Sequence, residues 1–416
     1  MQVNKISGQP IFCQLLSYLP KEIISNQVGL HQSDRYYKKM TTYKQLVFLF
    51  YGILSKSPSL RGLCKSLLFL EGKLSYLGID EIAPVSTLSD ANVNRFCGVF
   101  EDIYNDLFQH YAKSLEGGFV CLPINGEADC SKIERFDATT FSLFVDVFKG
   151  AGRTAEDGKK SGGIKAQTLI SYDSLVPKFI QLGAAAKNDK DFLGQLEVEK
   201  GHTYVFDKGY VSYSKYQQWT NEGVFFVTRL NDNANYKTIE SKPNKNKDSW
   251  GVLSEETISI YVAASKSALK LRLITYKDPV KGKVLKFITN HYEYEADTIA
   301  LIYKNRWAIE PFFKQLKQNF QLGRFFSDSQ QGIQTQIWVA FIANLIFTVL
   351  YQQVKQAEAF STIVTMASAN LGSYLCLITM VKREKLTSIE RNNGIIQLEI
   401  FNTFKGGLFQ NNKKYP

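Results

Sequence analysis

The stretch from about residue 119 to residue 230 restricts the fold of this chain more than any other. A strand-like run rich in Phe, Val and Thr opens it, two more strand candidates follow, and then come a helix, a short strand, a second helix and a further strand in that order. Polar, glycine-bearing segments separate these runs, and Gly223 closes the second helix. This mixed order predicts an α/β fold in which a sheet is flanked by helices.

The segments on either side of that stretch have a different character. The N-terminal part favours short helices, and "APVSTLSDANVNRF" reads as a turn and a short polar helix that carries Arg95. This pattern is compatible with a helix-turn-helix DNA reader, with Arg95 as a candidate contact, and equally with an ordinary helical packing domain. The expected organisation is a helical N-terminal DNA-binding domain (1–118), the first part of the α/β core (119–230), a β-rich insertion (231–294), the second part of the core (295–360) and a C-terminal helical tail (361–416).

Composition narrows the choice of partner. Lys and Arg exceed Asp and Glu by 50 − 39 = 11 residues in a chain of 416, which favours a polyanion, with nucleic acid first and an anionic membrane second. The six cysteines are scattered without CxxC spacing, so we expect neither structural zinc nor disulfides, and a reducing intracellular setting. The start has no signal-peptide pattern. The apolar run at 337–351 contains Asn344 and is too short to span a bilayer, so it predicts a buried helix and no membrane partner.

The sequence "YKNRWAIEPFFKQLKQNF" predicts one helix from Asp297 through Phe320 with two different faces. Trp307 and its apolar neighbours can pack into a core. Polar residues spaced three or four apart fall within an arc of roughly 80° and form a stripe roughly 20 Å long. This stripe is either a functional surface or a solvated face with a weak Glu310–Lys314 pair. Its members are Tyr303, Arg306, Glu310, Lys314 and Lys317.

Two isolated acids interrupt apolar strands upstream. Asp137 lies within "RFDATTF" and Asp207 ends "YVFD". A carboxylate in such a strand is costly to bury unless a cation compensates it. Mg²⁺ prefers oxygen ligands, so Asp137, Asp207 and Glu310 make a coherent metal site if the fold brings them together. Either aspartate alone is also compatible with a plain strand-end turn residue.

Taken in order, these motifs resemble the insertion sequence 4 family of Asp-Asp-Glu transposases. The resemblance lies in Tyr303-x2-Arg306-x3-Glu310-x6-Lys317, in "FDATT" and "DKGY" for the two aspartates, and in the β-rich insertion before the glutamate helix. It covers nearly the whole chain. It implies a ribonuclease-H-like mixed sheet flanked by helices, interrupted by the insertion and preceded by a helical N-terminal domain. In such a core the first and fourth strands lie side by side, and the glutamate helix packs near their ends.

The resemblance also implies a function and a site. A cut-and-paste transposase of a bacterial cytoplasm, associated with the nucleoid, would act on the terminal inverted repeats of its element and on target DNA, through a hairpin intermediate and as a homodimer when two ends are paired. Asp137, Asp207 and Glu310 would hold two Mg²⁺ or Mn²⁺ ions. The residues expected on DNA are Tyr303, Arg306, Lys314, Lys317, Lys208 and Arg95.

Several positions depart from the family pattern. Lys208 stands where Arg is frequent, and Gln167 and Asn188 stand where His is common. Trp250 is a candidate for stacking on a flipped base, although a core Trp is the plainer interpretation. Two alternatives stay open: a ribonuclease-H-like DNA nuclease, and a domesticated DNA-binding relative that does not transpose.

Overall fold

The computed structural model describes residues 8–115, 128–142, 153–154, 160–174, 176–185, 192–243, 251–355 and 358–382. The chain divides into two compact units, one formed by residues 1–111 with 318–416 and the other by residues 112–317. Asn188, Trp250 and the C-terminal part of the predicted helical tail, from residue 383 onward, lie outside the described residues.

The central unit contains a nine-stranded sheet in the order β5-β4-β1-β6-β7-β11-β10-β9-β8. Its strands are β1 (Ile133–Ser142), β4 (Gly163–Ser171), β5 (Pro177–Ala184), β6 (Thr203–Val205), β7 (Phe225–Arg229), β8 (Lys237–Pro243), β9 (Val252–Val262), β10 (Ser267–Lys277) and β11 (Val284–Thr289). Arg153–Thr154 (β2) and Lys160–Ser161 (β3) form a separate two-stranded ribbon.

The first five strands of this sheet have the topology that the resemblance implies. β5, β4 and β1 are mutually antiparallel neighbours, and β6 and β7 follow β1 in parallel. In chain order these are the third, second, first, fourth and fifth strands, so the first and fourth lie side by side. The mixed α/β, ribonuclease-H-like fold class is confirmed.

The β-rich insertion continues the same sheet. β11 pairs antiparallel with β7, Phe287 lying opposite Arg229, and β10, β9 and β8 add outward from it. The sequence predicts three strands here and a polar loop before them, and the loop prediction is wrong for Lys237–Pro243, which form β8. β8 is an edge strand in which Ile239 is exposed, and an edge needs no apolar alternation.

Among the described residues, the helices that pack on this sheet in the central unit are α8 (Tyr213–Glu222), α9 (Ala296–Arg306) and α10 (Ile309–Asn319), whose last residues pass into the other unit. Each face of the sheet carries its own apolar core. One includes Phe136, Phe206 and Trp219 of α8. The other includes Ile133, Val205 and Tyr303 of α9. Side chains alternate along β1, so Asp137 points to the face that α9 covers.

The other unit is helical. Its elements are α1 (Ile11–Leu16), α2 (Lys21–His31), α3 (Thr42–Leu54), α4 (Leu60–Leu67), α5 (Leu74–Leu77), α6 (Val85–Asn94), α7 (Gly98–Leu115, which runs to the unit boundary), α11 (Gln330–Gln353), α12 (Phe360–Ala369) and α13 (Leu377–Lys382). Thr41 and Ser59 cap α3 and α4 by accepting hydrogen bonds from Lys44 N and Gly62 N. The helical N-terminal part predicted from sequence is therefore present.

α11 is the longest apolar helix among the described residues. By length and composition it could cross a membrane, but 94% of its most apolar window is buried in the protein. This agrees with the predicted buried helix, although α11 is longer than the apolar run that indicated it. Its neighbours include α3 and α6, whereas the sequence analysis assigned it to the second part of the core.

Candidate active site

The strand register brings the two predicted aspartates to the same level of the sheet. In the parallel pair of β1 and β6, Arg135 lies opposite Val205. Asp137 and Asp207 each follow two residues later, so their side chains leave the sheet on the same face. Asp207 lies beyond the end of β6, where a short 3₁₀ turn, Lys208–Tyr210, begins.

Asp137 is held by a cation and by its own backbone. Its Oδ2 accepts a hydrogen bond from Arg306 Nη1 at 2.9 Å, and its Oδ1 accepts one from Ala138 N at 2.8 Å. Burial raises the pKa of the Asp137 carboxyl; Arg306 opposes that rise, and the charges of Asp207 and Glu310 add to it. The charges of Asp207 and Glu310 are therefore close enough to act on the Asp137 carboxyl.

Asp207 is oriented by a buried tyrosine. Tyr303 is fully buried, its ring stacks on Phe287 with centroids 4.5 Å apart, and its hydroxyl donates to Asp207 Oδ1 at 2.9 Å. Burial raises the pKa of Tyr303 far above its usual range, so the hydroxyl keeps its proton and remains a donor. Arg229 lies 3.9 Å from the same carboxylate oxygen.

Glu310 is the most open of the three acids. Its side chain is 60% exposed, and its Oε1 lies 3.6 Å from Arg306 Nη2. Arg306, itself only 5% exposed, thus contacts Asp137 with one nitrogen and Glu310 with another. A buried guanidinium stands between two of the carboxylates.

The predicted single helix from Asp297 through Phe320 is wrong in one respect, because it is interrupted between the tyrosine and the glutamate. α9 ends at Arg306 and α10 begins at Ile309. Ala308 N donates to Asn305 O and Glu310 N to Trp307 O, so the chain is wound more tightly there than an α-helix. Pro311 explains the break: it has no N–H to donate to Trp307 O, and its ring is tolerated only in the first turn of a helix.

A surface that faces DNA would expose all members of the polar stripe to solvent. The structure exposes only some of them. Tyr303 and Arg306 are buried and donate hydrogen bonds to Asp207 and Asp137, so neither side chain is exposed here, and their contact with DNA phosphates stays a prediction. Lys317 Nζ donates to Thr140 O at 2.8 Å, and burial lowers the pKa of its ammonium. Lys314 is exposed. Lys208 forms an exposed pair with Asp232 at 2.9 Å.

Arg95 is not a surface contact either. It is 2% exposed, and its guanidinium donates to Met40 O at 2.6 Å, to Ser33 O at 3.2 Å and to Gln45 Oε1. It also pairs with Asp34 at 3.3 Å. The prediction that Arg95 binds DNA directly is wrong in this conformation, because its guanidinium is buried and its donors are engaged by these protein groups.

A second polar cluster, not predicted from sequence, lies on the other face of the sheet. Glu134, one position out of phase with Asp137 on β1, groups with Glu199 and His202. Lys178 Nζ lies 2.5 Å from Glu134 Oε1 and 3.1 Å from Glu199 Oε1, so an ammonium already balances the acids. Glu134 in the run "IERF" gave the same signal as Asp137, an isolated acid in an apolar strand.

Comparison with known proteins agrees with this architecture. A family model described as a transposase DDE domain matches residues 133–346, just over half of the chain. Another model, described as a domain of unknown function, matches residues 7–80. The chain therefore belongs to the family of transposases with a DDE domain.

Individual relatives share less than a third of their aligned residues with this chain. A transposase of Sinorhizobium fredii is 28% identical over 198 residues, 47% of this chain and 55% of that protein. A transposase of a Geobacillus stearothermophilus insertion sequence is 24% identical over 194 residues, 47% and 51% of the two chains. One of the Synechocystis element IS4SA is 24% identical over 273 residues, 65% and 72%. The chain spans about half the length of the first two relatives. The last agrees with the resemblance to the insertion sequence 4 family.

Proposed function

We propose that this protein is a metal-dependent DNA transposase whose active site consists of Asp137, Asp207 and Glu310. The observation that supports this most is the placement of Asp137 and Asp207 on one face of a ribonuclease-H-like sheet, together with a buried guanidinium, Arg306, that contacts both Asp137 and Glu310. Asp137 and Asp207 lie on or just beyond two adjacent strands, and Glu310 lies on a helix. The first two are 70 residues apart in sequence (207 − 137), and the last two are 103 apart (310 − 207). A structural role for each alone would not require Asp137 and Glu310 to share one guanidinium.

The donor set suits a hard divalent cation. All three side chains offer carboxylate oxygens. Burial, with a smaller contribution from the charges of Asp207 and Glu310, raises the pKa of Asp137, and a bound cation would oppose that rise. Two Mg²⁺ or Mn²⁺ ions would be held by Asp137, Asp207 and Glu310, and would supply activation of the attacking oxygen and stabilisation of the leaving oxygen in phosphoryl transfer.

The remaining residues of the site have distinct tasks. Tyr303 orients Asp207 through its hydroxyl. Arg306 neutralises Asp137 and Glu310 and would be released toward a DNA phosphate when another cation replaces it. Exposed Lys314 and the half-exposed Lys208 and Lys317 are accessible enough to contact the DNA backbone.

The reaction that this site would perform is cleavage of double-stranded DNA at the terminal inverted repeats, followed by joining to target DNA. By the resemblance, the freed 3′-hydroxyl attacks the opposite strand to form a hairpin before joining. Pairing of two ends calls for a homodimer on DNA. The compartment would be the bacterial cytoplasm, with the protein at the nucleoid.

The test uses the purified full chain, Mg²⁺ and linear DNA containing the flanks of its own gene, with a supercoiled plasmid as target. We expect cleavage at the element ends, hairpin products on a denaturing gel and joined plasmid. Asp137→Asn should abolish all three, and Glu222→Gln, which changes an exposed acid of α8, should abolish none. Cleavage that survives Asp137→Asn would overturn the site. Cleavage without joined plasmid would instead favour a nuclease, and DNA binding without cleavage a non-transposing relative.

A further inference from the structure

The loop between α2 and α3, residues 32–41, presents an unusual density of exposed cations and aromatics. Arg35, Lys38 and Lys39 are exposed, as is Tyr36, which has 87% of its surface accessible. Arg35 lies over the Tyr36 ring at 5.3 Å from the centroid. Among the residues that the structure describes, no carboxylate forms an ion pair with any of these three cations.

The loop is held firmly from beneath. Asp34 accepts hydrogen bonds from Thr42 N at 2.6 Å and from Thr42 Oγ1 at 2.8 Å, which ties the loop to the first turn of α3. Arg95 binds the carbonyls at both ends of the loop, Ser33 O and Met40 O. Its guanidinium also lies 4.2 Å from the ring centroid of Tyr37. The loop is therefore preorganised, which reduces the entropy that a partner must overcome on binding.

The acids close to the loop are already engaged. Asp34 faces Thr42 and Arg95, and Asp102 accepts a 2.7 Å hydrogen bond from His31 at the end of α2. The outer surface of the loop thus carries three unbalanced positive charges. Phosphate groups of a nucleic-acid backbone, with one negative charge at each nucleotide, match such a surface.

We propose that residues 35–39 form a DNA-backbone contact of the helical unit and that Arg95 is its positioning residue. Arg35, Lys38 and Lys39 bind phosphates, and Tyr36 packs against the sugar or base between them. Arg95 acts through the loop, whose two ends it fixes. This inference deepens the proposed function, since it rests on DNA as the partner.

The test compares two triple variants with the same loss of charge. Arg35→Gln/Lys38→Gln/Lys39→Gln removes the loop cations, and Lys56→Gln/Arg61→Gln/Lys65→Gln removes three other exposed cations of the same unit. Affinity for duplex DNA of the element end is measured by fluorescence anisotropy over a salt series. We expect the loop variant to lose on the order of tenfold or more at low salt and its salt slope to fall by about 2.7, at 0.9 for each phosphate contact.

The control variant should change both quantities much less. Equal effects in the two variants, or an unchanged slope in the loop variant, would overturn the inference. Loss of binding to anionic vesicles with an unchanged DNA slope would show that a membrane is the partner and would overturn it as well. If the wild-type chain bound no DNA, the proposed function would fail too, whereas normal binding and cleavage by the loop variant would refute the loop alone.

Arg95→Lys distinguishes positioning from folding. It should weaken DNA binding in the wild-type loop but add nothing in the loop variant, because the cations that it positions are then absent. Thermal unfolding of both proteins monitors structural damage. An equal additional loss in both backgrounds would mean that Arg95 acts through general stability, which contradicts the positioning role.

Discussion

Arg306 determines how the candidate site behaves without metal. Its guanidinium, buried and shared between Asp137 and Glu310, supplies the positive charge that two crowded carboxylates require. Any divalent cation must compete with it. The same residue therefore stabilises these two carboxylates and would oppose the binding of a metal ion there.

Replacing Arg306 with Gln should strengthen divalent metal binding in the DNA-free protein. A charged hydrogen bond contributes about 1.5–3 kcal/mol, so removal of this competitor should lower the Kd for Mn²⁺ by roughly tenfold near neutral pH. Titration calorimetry measures the Kd. Lys314→Gln, which removes an exposed cation from α10, should leave it unchanged. Unchanged or weaker Mn²⁺ binding by Arg306→Gln would show that Arg306 does not compete with the metal.

At this scale the sequence singled out Asp137, Asp207 and Glu310, whose shared metal site stays a prediction, but it did not show how the cations around them pack. Asp137 and Asp207 stand out because each is a lone charge beside apolar strand residues, a local signal. The burial of Tyr303, Arg306 and Arg95 depends on which elements cover them, and that is decided by tertiary contacts. A cation on a polar stripe has the same sequence pattern whether it faces DNA or a carboxylate.

Among the elements, the segment just after β11 contains His291, whose titration affects the free energy of unfolding. His291 follows this strand, stacks on Tyr294 with ring centroids 3.7 Å apart and is 3% exposed. Burial, with a further contribution from Arg272, lowers the pKa of His291 from 6.5 to about 4. Since the folded-state pKa lies below that of the unfolded chain, the unfolded chain binds more protons between these values. The contribution of neutral His291 is complete above pH 6.5 and is lost as the pH falls toward 4.

This linkage predicts that the free energy of unfolding falls between pH 7.5 and pH 5 by about 2 kcal/mol more in the wild type than in His291→Gln. Urea denaturation at the two pH values measures the difference. His110→Gln, at an exposed position, should retain the wild-type pH dependence. Identical pH dependence of His291→Gln and the wild type would refute the assignment.

α11 contains a polar residue that weakens it. Asn344 is 1% exposed, and neither amide atom has a hydrogen-bond partner among the described residues. Asn344→Leu should raise the free energy of unfolding by about 1–2 kcal/mol, because an unpaired buried amide is replaced by an apolar group of similar shape. Thermal or urea unfolding provides the measurement.

The matched control, Gln336, lies on the same helix, α11. Gln336 is equally buried, but its amide accepts from Phe326 N and donates to Arg324 O, each at 2.8 Å. Gln336→Leu should therefore lower stability, since it leaves two backbone groups unpaired. A loss of stability in Asn344→Leu as well would mean that the Asn344 amide has a structural role in the helical unit.

Element boundaries show where sequence patterns fail. The break before Ile309 was missed because residues on both sides of one tight turn keep nearly helical spacing, so the polar stripe still looks continuous. Pro311 is the sequence feature that could have indicated the break. β8 was missed for the opposite reason, since an edge strand with polar side chains lacks alternation. The buried helix at α11 was predicted because the apolar run at 337–351 contains Asn344 and is too short to span a bilayer.

Across the whole molecule, the order of strands and helices predicted the first five strands of the sheet, and the family match at residues 133–346 agrees with it. The pairing of β11 with β7, which turns the insertion into an extension of the same sheet, was not predictable from local pattern. Which strands pair over a long sequence separation depends on which sheet edge is available. Without the insertion, β7 would be the edge strand next to the parallel pairs, and β11 pairs with it. The domain boundaries inferred from composition remain predictions.

The most direct test of the account is to count the divalent ions that the full chain binds, with the Kd of each, for the wild type, Asp137→Asn, Asp207→Asn, Glu310→Gln and Glu222→Gln. Mn²⁺ titration followed by electron paramagnetic resonance gives both quantities. The shared site predicts two ions in the wild type and in Glu222→Gln, and in each of the other three the loss of an ion or a Kd weaker by about tenfold or more. Wild-type binding in the three variants, or a loss confined to one of them, would contradict a site built from all three acids.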